Sequence, residues 1–410
     1  MDLKSIVRFE HEKLIFNLKN EDEKKLHDAL ENYYGNYSPF FKLIKNGVQF
    51  NEYVGVLQIG RTKIEILPKA DKNGEEKWRG LLIDMIRTVW GFNVKSTGSS
   101  SLKLKSNSIL DLYFELFINE LELIFHRGLI KKYSQTDGNL QSLKGSLQFS
   151  KHISKNCTHQ ERFYVKYSHY DKDHLIHQIL FKALNLINQI NTTNSLKSKI
   201  GTLLLDFPEV SNIKISETIF SKINYDRKNI HYKTALEIAK LILLNYHPDL
   251  SKGKNNVLAL MFDMNSLWEQ FIFMTLHKKM KTHQITSQVT KYFWKPTEGS
   301  LSKMRPDLIL KNRITQETIV LDTKWKNLNG RNPSPEDLRQ MYVYHQYYDS
   351  TKTALVYPGE EHFIKRGNYF NTEVKAEISL KECSIVHVKT VDEIGFWQDE
   401  IVEQIKSFLR

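Results

Sequence analysis

Two short apolar runs joined by a polar turn constrain this chain more than any other part of its sequence: Arg305-Pro306-Asp307-Leu308-Ile309-Leu310 and Ile319-Val320-Leu321-Asp322-Thr323-Lys324-Trp325-Lys326. Both are dominated by β-branched and aliphatic residues, Pro306 is tolerated only where a strand opens, and Asn312, Thr315 and Gln316 supply the turn. They read as a hairpin. Side chains alternate faces along a strand, which sets Asp322 and Lys324 on one side and Thr323 on the other. Asp307 opens the neighbouring strand and reaches the same patch. Two carboxylates and an ammonium therefore converge at the end of an apolar hairpin, a costly cluster unless it is used.

The use that fits these residue types is metal-assisted phosphodiester hydrolysis. Two carboxylates, Asp307 and Asp322, hold a hard Mg2+ through oxygen, which lowers the pKa of an attacking water and offsets phosphate charge. Lys324 orients or helps deprotonate that water and stabilises the developing negative charge. Pro-Asp followed by Asp-x-Lys is the pattern of PD-(D/E)XK nucleases, and the alternative is a surface hairpin carrying Asp and Lys by chance. The surroundings extend the pattern. From Asp263 to Leu276 the apolar spacing reads as a helix of about three turns with Asn265 or Ser266 as its N-cap. Glu269, in its first turns, is either a further acid for the metal or a solvated glutamate favoured by the helix dipole. Ser334 to Tyr348 reads as a second helix, with a capping serine, proline at N1 and two acids in the first turn. Gln340 and Tyr344 share one of its faces, where they bind phosphate, order water or simply form a polar surface. Thr353 to Pro358 reads as a buried strand. The order helix, strand, strand, helix, strand is the core of that nuclease fold.

Met264-Asn265 through Glu269, then Arg305-Pro306-Asp307, Leu321-Asp322-Thr323-Lys324-Trp325-Lys326 and Asp337-Leu338-Arg339-Gln340-Met341-Tyr342, resemble the C-terminal half of the McrC family, the nuclease subunits of McrBC 5-methylcytosine restriction systems. The likeness extends upstream. Tyr53 to Gly60 with Ile64 to Lys69 is similar to the family's N-terminal strand pair, and Gly128 to Tyr133 with Leu143 to Leu147 to its middle region. Thr323 stands where a small apolar residue is common, on a side chain expected to face away from the metal. The resemblance implies a Mg2+-dependent endonuclease that cuts double-stranded DNA only with an AAA+ GTPase or ATPase, an McrB-like ring, whose hydrolysis it stimulates through its N-terminal part. No G-x-x-x-x-G-K-[ST] loop occurs here, so a motor would be a separate chain. A non-cleaving activator of such a motor is the alternative in another class.

Composition adds independent bounds. A chain of 410 residues with 40% hydrophobic content suffices for two or three cores, and no apolar run approaches a membrane span. No secretory segment opens the sequence and its two cysteines, Cys157 and Cys383, lie far apart, so a soluble protein of a reducing cytoplasm is expected. The net charge of +12 suits a polyanionic ligand. Part of that charge lies between His277 and Arg305, where lysines interleave with Tyr292, Phe293 and Trp294. This stretch reads either as a surface for phosphates and bases or as a core strand with a solvated lysine face. Arg305, Lys326, Gln340 and Tyr344 are the candidate DNA contacts.

The expected organisation is a multi-domain α+β chain. An N-terminal α+β module over 1–107 would dock the ring, a mostly helical region follows over 108–256, and the nuclease domain, an α/β core with a mixed central sheet, occupies 257–410. The boundaries rest on the Ser96 to Ser101 run and on the stretch Asn245 to Asn256, rich in Pro, Gly, Lys and Asn. His169, Asp171, Asp173, His174 and His177 cluster in sequence, and helix capping by an aspartate explains them more simply than zinc. Arg61, Lys63, Lys69, Arg79 and Arg87 include candidates for a residue that reaches a partner's nucleotide.

Overall fold

A computed structural model of the protein describes residues 4–34, 38–60, 62–68, 74–89, 109–159, 161–191, 194–244, 246–247, 257–328, 330–371 and 377–410. The Ser96 to Ser101 run, Arg61, Lys69 and most of the 245–256 stretch lie outside the described residues. The chain divides into two compact units, one built from 1–104 and 252–410 and the other from 105–251. The first and third of the expected regions thus pack as one body. The reason is a β-ladder: Val257–Asp263 pairs antiparallel with Tyr53–Ile59, Asp263 opposite Tyr53. Tyr53–Ile59 pairs in turn with Thr62–Leu67, which runs parallel to Lys4–Phe9. Along Val54–Ile59 every residue is buried, as expected of a strand covered on both faces. A helix, Glu21–Tyr34, and a three-stranded sheet of Lys13–Ile15, Gly47–Phe50 and Phe41–Ile44 close an apolar cluster around Leu30, Phe41, Val48 and Ile64.

The same unit holds a seven-stranded mixed sheet, in the order His283–Ser287, Leu308–Asn312, Thr318–Thr323, Lys352–Gly359, Ile378–Lys389 and Phe363–Lys365, with Asn368–Phe370 also paired to Ile378–Lys389. The first two pairings are antiparallel and the next two parallel. Ile319 to Thr323 are all buried, so both faces are covered. The helix Pro335–Tyr348 covers one of them through Met341, Tyr344 and Tyr348 against Val320, Leu355, Tyr357 and Ile385. Met264–Lys279, Glu75–Val89 and Ile394–Leu409 meet in an aromatic knot. Trp268 stacks on Trp397 at 5.4 Å, and Trp325 sets its edge against Trp268 at 5.4 Å and Trp78 at 5.8 Å.

The hairpin of the sequence reading forms, with shorter strands. Its strands are Leu308–Asn312 and Thr318–Thr323, turned by Gln316 at φ 60°, so Arg305 to Asp307 precede the first and Lys324 to Lys326 follow the second. The helix ahead of it begins at Met264 and is capped by Asp263, whose Oδ1 accepts from Ser266 N at 2.8 Å. That corrects the expected cap at Asn265 or Ser266. Asp263 closes its strand at the helix mouth, where a carboxylate satisfies free N–H groups and favours the dipole.

The second unit departs most from expectation. The helix starting at Ile109 stops at Arg127, where Gly128 turns the backbone at φ 87°, and Lys132–Leu140 is a strand paired along its length with Phe163–Asp171. Ser146–Leu147 is a short strand on the same sheet, and Phe149–Asn156 is helical. Leu175–Ile190 and Lys233–Leu244 are helices, in keeping with the mostly helical region expected. Among the residues weighed for zinc, Asp173 accepts from Gln178 Nε2 at 2.7 Å and from Ser211 N at 3.0 Å, while His177 bonds Lys172 O and the Tyr232 hydroxyl. The helix cap there is His174 rather than an aspartate. No helix among the described residues is long and apolar enough to cross a membrane.

Candidate active site

Asp322 is the deepest charged residue of the sheet, only 1 % exposed, at the end of a strand whose partners are apolar. Lys324 Nζ lies 2.7 Å from its Oδ2, with an ammonium that stays 27 % exposed. Beyond that ammonium the buried Oδ2 meets no further donor among the described residues, which leaves a lone pair open. Its Oδ1 receives Gln340 Nε2 at 3.4 Å, and Gln340 in turn donates to the Tyr344 hydroxyl at 2.7 Å. Gln340 and Tyr344 thus share a face as expected, but Tyr344 is 2 % exposed and lies beneath the carboxylate rather than on a surface DNA reaches. Burial first, and the Asp307 charge second, raise the Asp322 carboxyl to about 7 against the pull of Lys324. At Lys324 burial works downward, yet Asp322 and Asp307 outweigh it and hold the amine above 10.5. It is a cation at any working pH.

Asp307 is placed by the end of the ladder. Leu308 pairs with Leu321, so Asp307 falls beside the last residues of the next strand, and its Oδ2 accepts both Thr323 N at 2.6 Å and Thr323 Oγ1 at 2.9 Å. The expectation that Thr323 faces away from the chemistry is corrected here: its hydroxyl grips the other carboxylate. A small apolar side chain supplies only the backbone half of that clamp.

Glu269 stands on the helix Met264–Lys279 with its Oε1 taking Gln288 Nε2 at 2.8 Å. Burial and then the charge of Asp307 raise its carboxyl, opposed by Gln288, Arg305 and Lys324. Asp307 is therefore felt by Glu269, Asp322 and Lys324 alike. Asp307, Asp322 and Glu269 do not bring even one oxygen each to within 4.8 Å of one another; the group of described residues that meets that distance is His27, Asp28 and Glu31, on an exposed helix face. Glu269 belongs to an outer ring around the Asp307, Asp322 and Lys324 centre.

Of the remaining candidates, Lys326 is taken up by Asp337 at 2.7 Å, a pair that holds Asp337 below its ordinary range although burial opposes it. Arg305 is exposed beside Asp307. Arg79 is paired with the buried Glu65 at 2.8 Å, Arg87 with Asp84, and Lys63 is buried. Sequence reasoning missed three supports. Gln288, at φ 54°, donates its N–H to Asp307 O at 3.1 Å and its amide to Glu269. Asn265 Oδ1 receives Trp325 N at 3.2 Å, and Trp325 Nε1 donates to Glu10 Oε1 at 2.7 Å. Lys324 N donates to Val356 O at 3.0 Å, which fixes the main chain just past the strand. The aromatic identity of Trp325 was the one available signal.

A sequence model described as McrBC 5-methylcytosine restriction system component matches residues 48–358. The chain belongs to the McrBC family. A curated member, the type IV methyl-directed restriction enzyme EcoKMcrBC of Escherichia coli K12, is 19% identical over 271 residues, 63% of this chain and 77% of its own length. Among solved structures, a refined half-complex from a tetradecameric assembly of Thermococcus gammatolerans McrB AAA+ hexamers with bound McrC contains a chain similar to this one. The TM-score is 0.72 at 19% identity, over 99% of this chain and 100% of that one. A cryo-EM structure of the Thermococcus gammatolerans McrBC complex gives 0.51 at 20% identity over 68% and 89%. The McrBC family fold thus extends over the whole length described here, both units included.

Proposed function

We propose that this McrBC family chain is the DNA endonuclease subunit of a restriction system, with a PD-(D/E)XK site formed by Asp307, Asp322 and Lys324. It acts with a separate AAA+ ring of the McrB kind, whose nucleotide hydrolysis it stimulates. The observation that carries the reading is the buried Asp322 ion-paired to Lys324 beside the clamped Asp307. A fold that buries a carboxylate with one lone pair unfilled has left room for a cation. Asp307 and Asp322 would hold Mg2+, and Glu269 would support it through water. Oxygen donors alone make up this set, the chemistry a hard divalent ion selects. When bound, the ion lowers the pKa of its water and neutralises phosphate charge.

The side chains of the protein do the rest. Lys324, held protonated by its neighbours, faces the developing charge and orients the attacking water. Thr323 fixes one oxygen of Asp307 by two hydrogen bonds and so turns the other outward. Gln340 fixes Oδ1 of Asp322. Arg305, exposed two residues before Asp307, supplies a positive contact for the phosphodiester backbone.

The test is cleavage of plasmid DNA by the purified chain with its cognate ring, nucleotide and Mg2+. Asp322→Ala and Lys324→Ala are expected to abolish DNA ends while leaving stimulation of the ring intact. Undiminished cleavage by Lys324→Ala would refute the assignment. Stimulated hydrolysis by the wild type with no DNA ends would make the chain an activator alone.

A further inference from the structure

Three consecutive large aromatics sit on a strand in water. Tyr292, Phe293 and Trp294 are 63 %, 46 % and 57 % exposed, on a two-stranded sheet of Lys291–Trp294 and Ser302–Met304 that joins no other strand among the described residues. Phe293 leans edge-on against Tyr347 at 6.4 Å and Met304 is buried, yet all three rings stay largely in solvent. Core packing, one of the two readings open from sequence, is thereby removed. An exposed apolar patch of this kind marks a contact surface.

Its base is firmly held. Tyr348, at the end of Pro335–Tyr348, donates its hydroxyl to Val289 O at 2.6 Å and Met304 O at 3.3 Å, and Lys291 lies over the Tyr348 ring at 4.9 Å. Tyr347 donates to Phe293 O at 3.3 Å. Both feet of the hairpin enter the candidate active site. On one side Gln288 bonds the Glu269 carboxylate and the Asp307 carbonyl, and on the other Arg305 leads through Pro306 into Asp307.

The charge selects the occupant. From 291 to 305 there are four cations, Lys291, Lys295, Lys303 and Arg305, against one acid, Glu298. Lys295, Lys303 and Arg305 are exposed and enter no ion pair among the described residues. A second copy of a chain carrying +12 would bring like charge to this surface. Aromatic rings flanked by free cations match a nucleic acid, whose phosphates take the charge and whose sugars and bases take the rings.

We propose that the 291–304 hairpin grips duplex DNA beside the phosphate to be cut. Lys295, Lys303 and Arg305 follow the phosphates, and the exposed rings of Tyr292 and Trp294, separated by an irregularity in the ladder, pack on the sugars and base edges of the adjoining groove. The choice of DNA rests on the nuclease reading. Because the feet carry Asp307 and the residue that holds Glu269, a duplex seated on the hairpin meets those carboxylates at a fixed distance.

Full-length wild type, Tyr292→Ala/Trp294→Ala, Lys295→Ala/Lys303→Ala and Trp294→Phe are titrated into a fluorescein-labelled DNA duplex. Anisotropy is read over a range of salt with Ca2+ replacing Mg2+, so that binding is read without cutting. The aromatic pair is expected to weaken binding about tenfold at an unchanged salt slope, and the lysine pair to lower the slope by roughly 2. Trp294→Phe should retain most of the affinity. Wild-type affinity in both double variants overturns the proposal, as does an aromatic variant that binds DNA normally but loses stimulation of the ring, which would make the hairpin a protein contact. The two readings fail separately. Hairpin-dependent binding without cleavage by the wild type leaves the grip standing and ends the nuclease, whereas cleavage with hairpin-independent binding does the reverse.

Discussion

Asp322→Asn is expected to remove the chemistry and at the same time stabilise the fold at alkaline pH. The side chain is 1 % exposed and its carboxyl is raised from 3.8 to about 7, so the folded chain binds that proton more tightly than the unfolded chain does. Stability from this group is therefore full below the unfolded value near pH 4, falls as pH climbs through about 7 and is flat above. At about 1.4 kcal/mol per pKa unit the whole span is worth roughly 4 kcal/mol. Asparagine has the same shape and no charge to bury. It does leave Lys324 without its nearest partner, a loss limited by the exposure of that ammonium and by the Asp307 charge, which Lys324 also feels. The net gain at pH 8 should be about 1–3 kcal/mol, shrinking to nothing near pH 4. The unit of residues 105–251 contains no tryptophan, so urea unfolding followed by tryptophan fluorescence in EDTA does not report on it. Mg2+ should then stabilise the wild type and leave the variant unmoved. A variant less stable than wild type by the same amount at pH 4 and pH 8 would refute the argument, because it would mean that Asp322 is not strained by its burial.

Other expectations follow from the same contacts. Lys324→Ala should lower cleavage by roughly two to three orders of magnitude, with ring stimulation unchanged, in a coupled nuclease and phosphate-release assay. Thr323→Val deletes the hydroxyl bond to Asp307 but keeps the backbone one. It should cut the rate about tenfold and raise the Mg2+ concentration at half-maximal activity, and Thr323→Ser should restore both. Trp325→Phe removes the donor to Glu10 and should cost about 1–3 kcal/mol in urea unfolding, with the stability loss present whether or not Mg2+ is added.

The sheet strands of the site were legible because their residues are apolar in runs and their ends carry the only charges, and both helices announced themselves by periodicity and, at Ser334, by a cap that forms as read, accepting Asp337 N at 3.1 Å. What stayed hidden depends on register. That Leu308 faces Leu321, and so brings Asp307 to Thr323, follows from the length of the turn at Gln316 and not from either strand alone. Gln288 at positive φ carries no signal in a sequence that offers glutamine at many loop positions. Lys132–Leu140 was invisible as a strand, since a ribbon whose residues are largely exposed has no need to alternate polar with apolar residues. The joining of 1–104 to 252–410 was missed for a related reason: nothing in the apolar runs at Tyr53 and Val257 names a partner across the intervening unit.

That distant pairing sets the time at which the candidate site is assembled. During synthesis Tyr53–Ile59 leaves the ribosome with one edge bare, and the strand that seals it follows only after the entire second unit has emerged. Asp263, which ends that late strand, caps the helix bearing Glu269, and Trp325 must find Glu10 near the other terminus. Contacts so remote in sequence form late. A nascent or broken chain would thus hold the acids and the lysine without the frame that aims them.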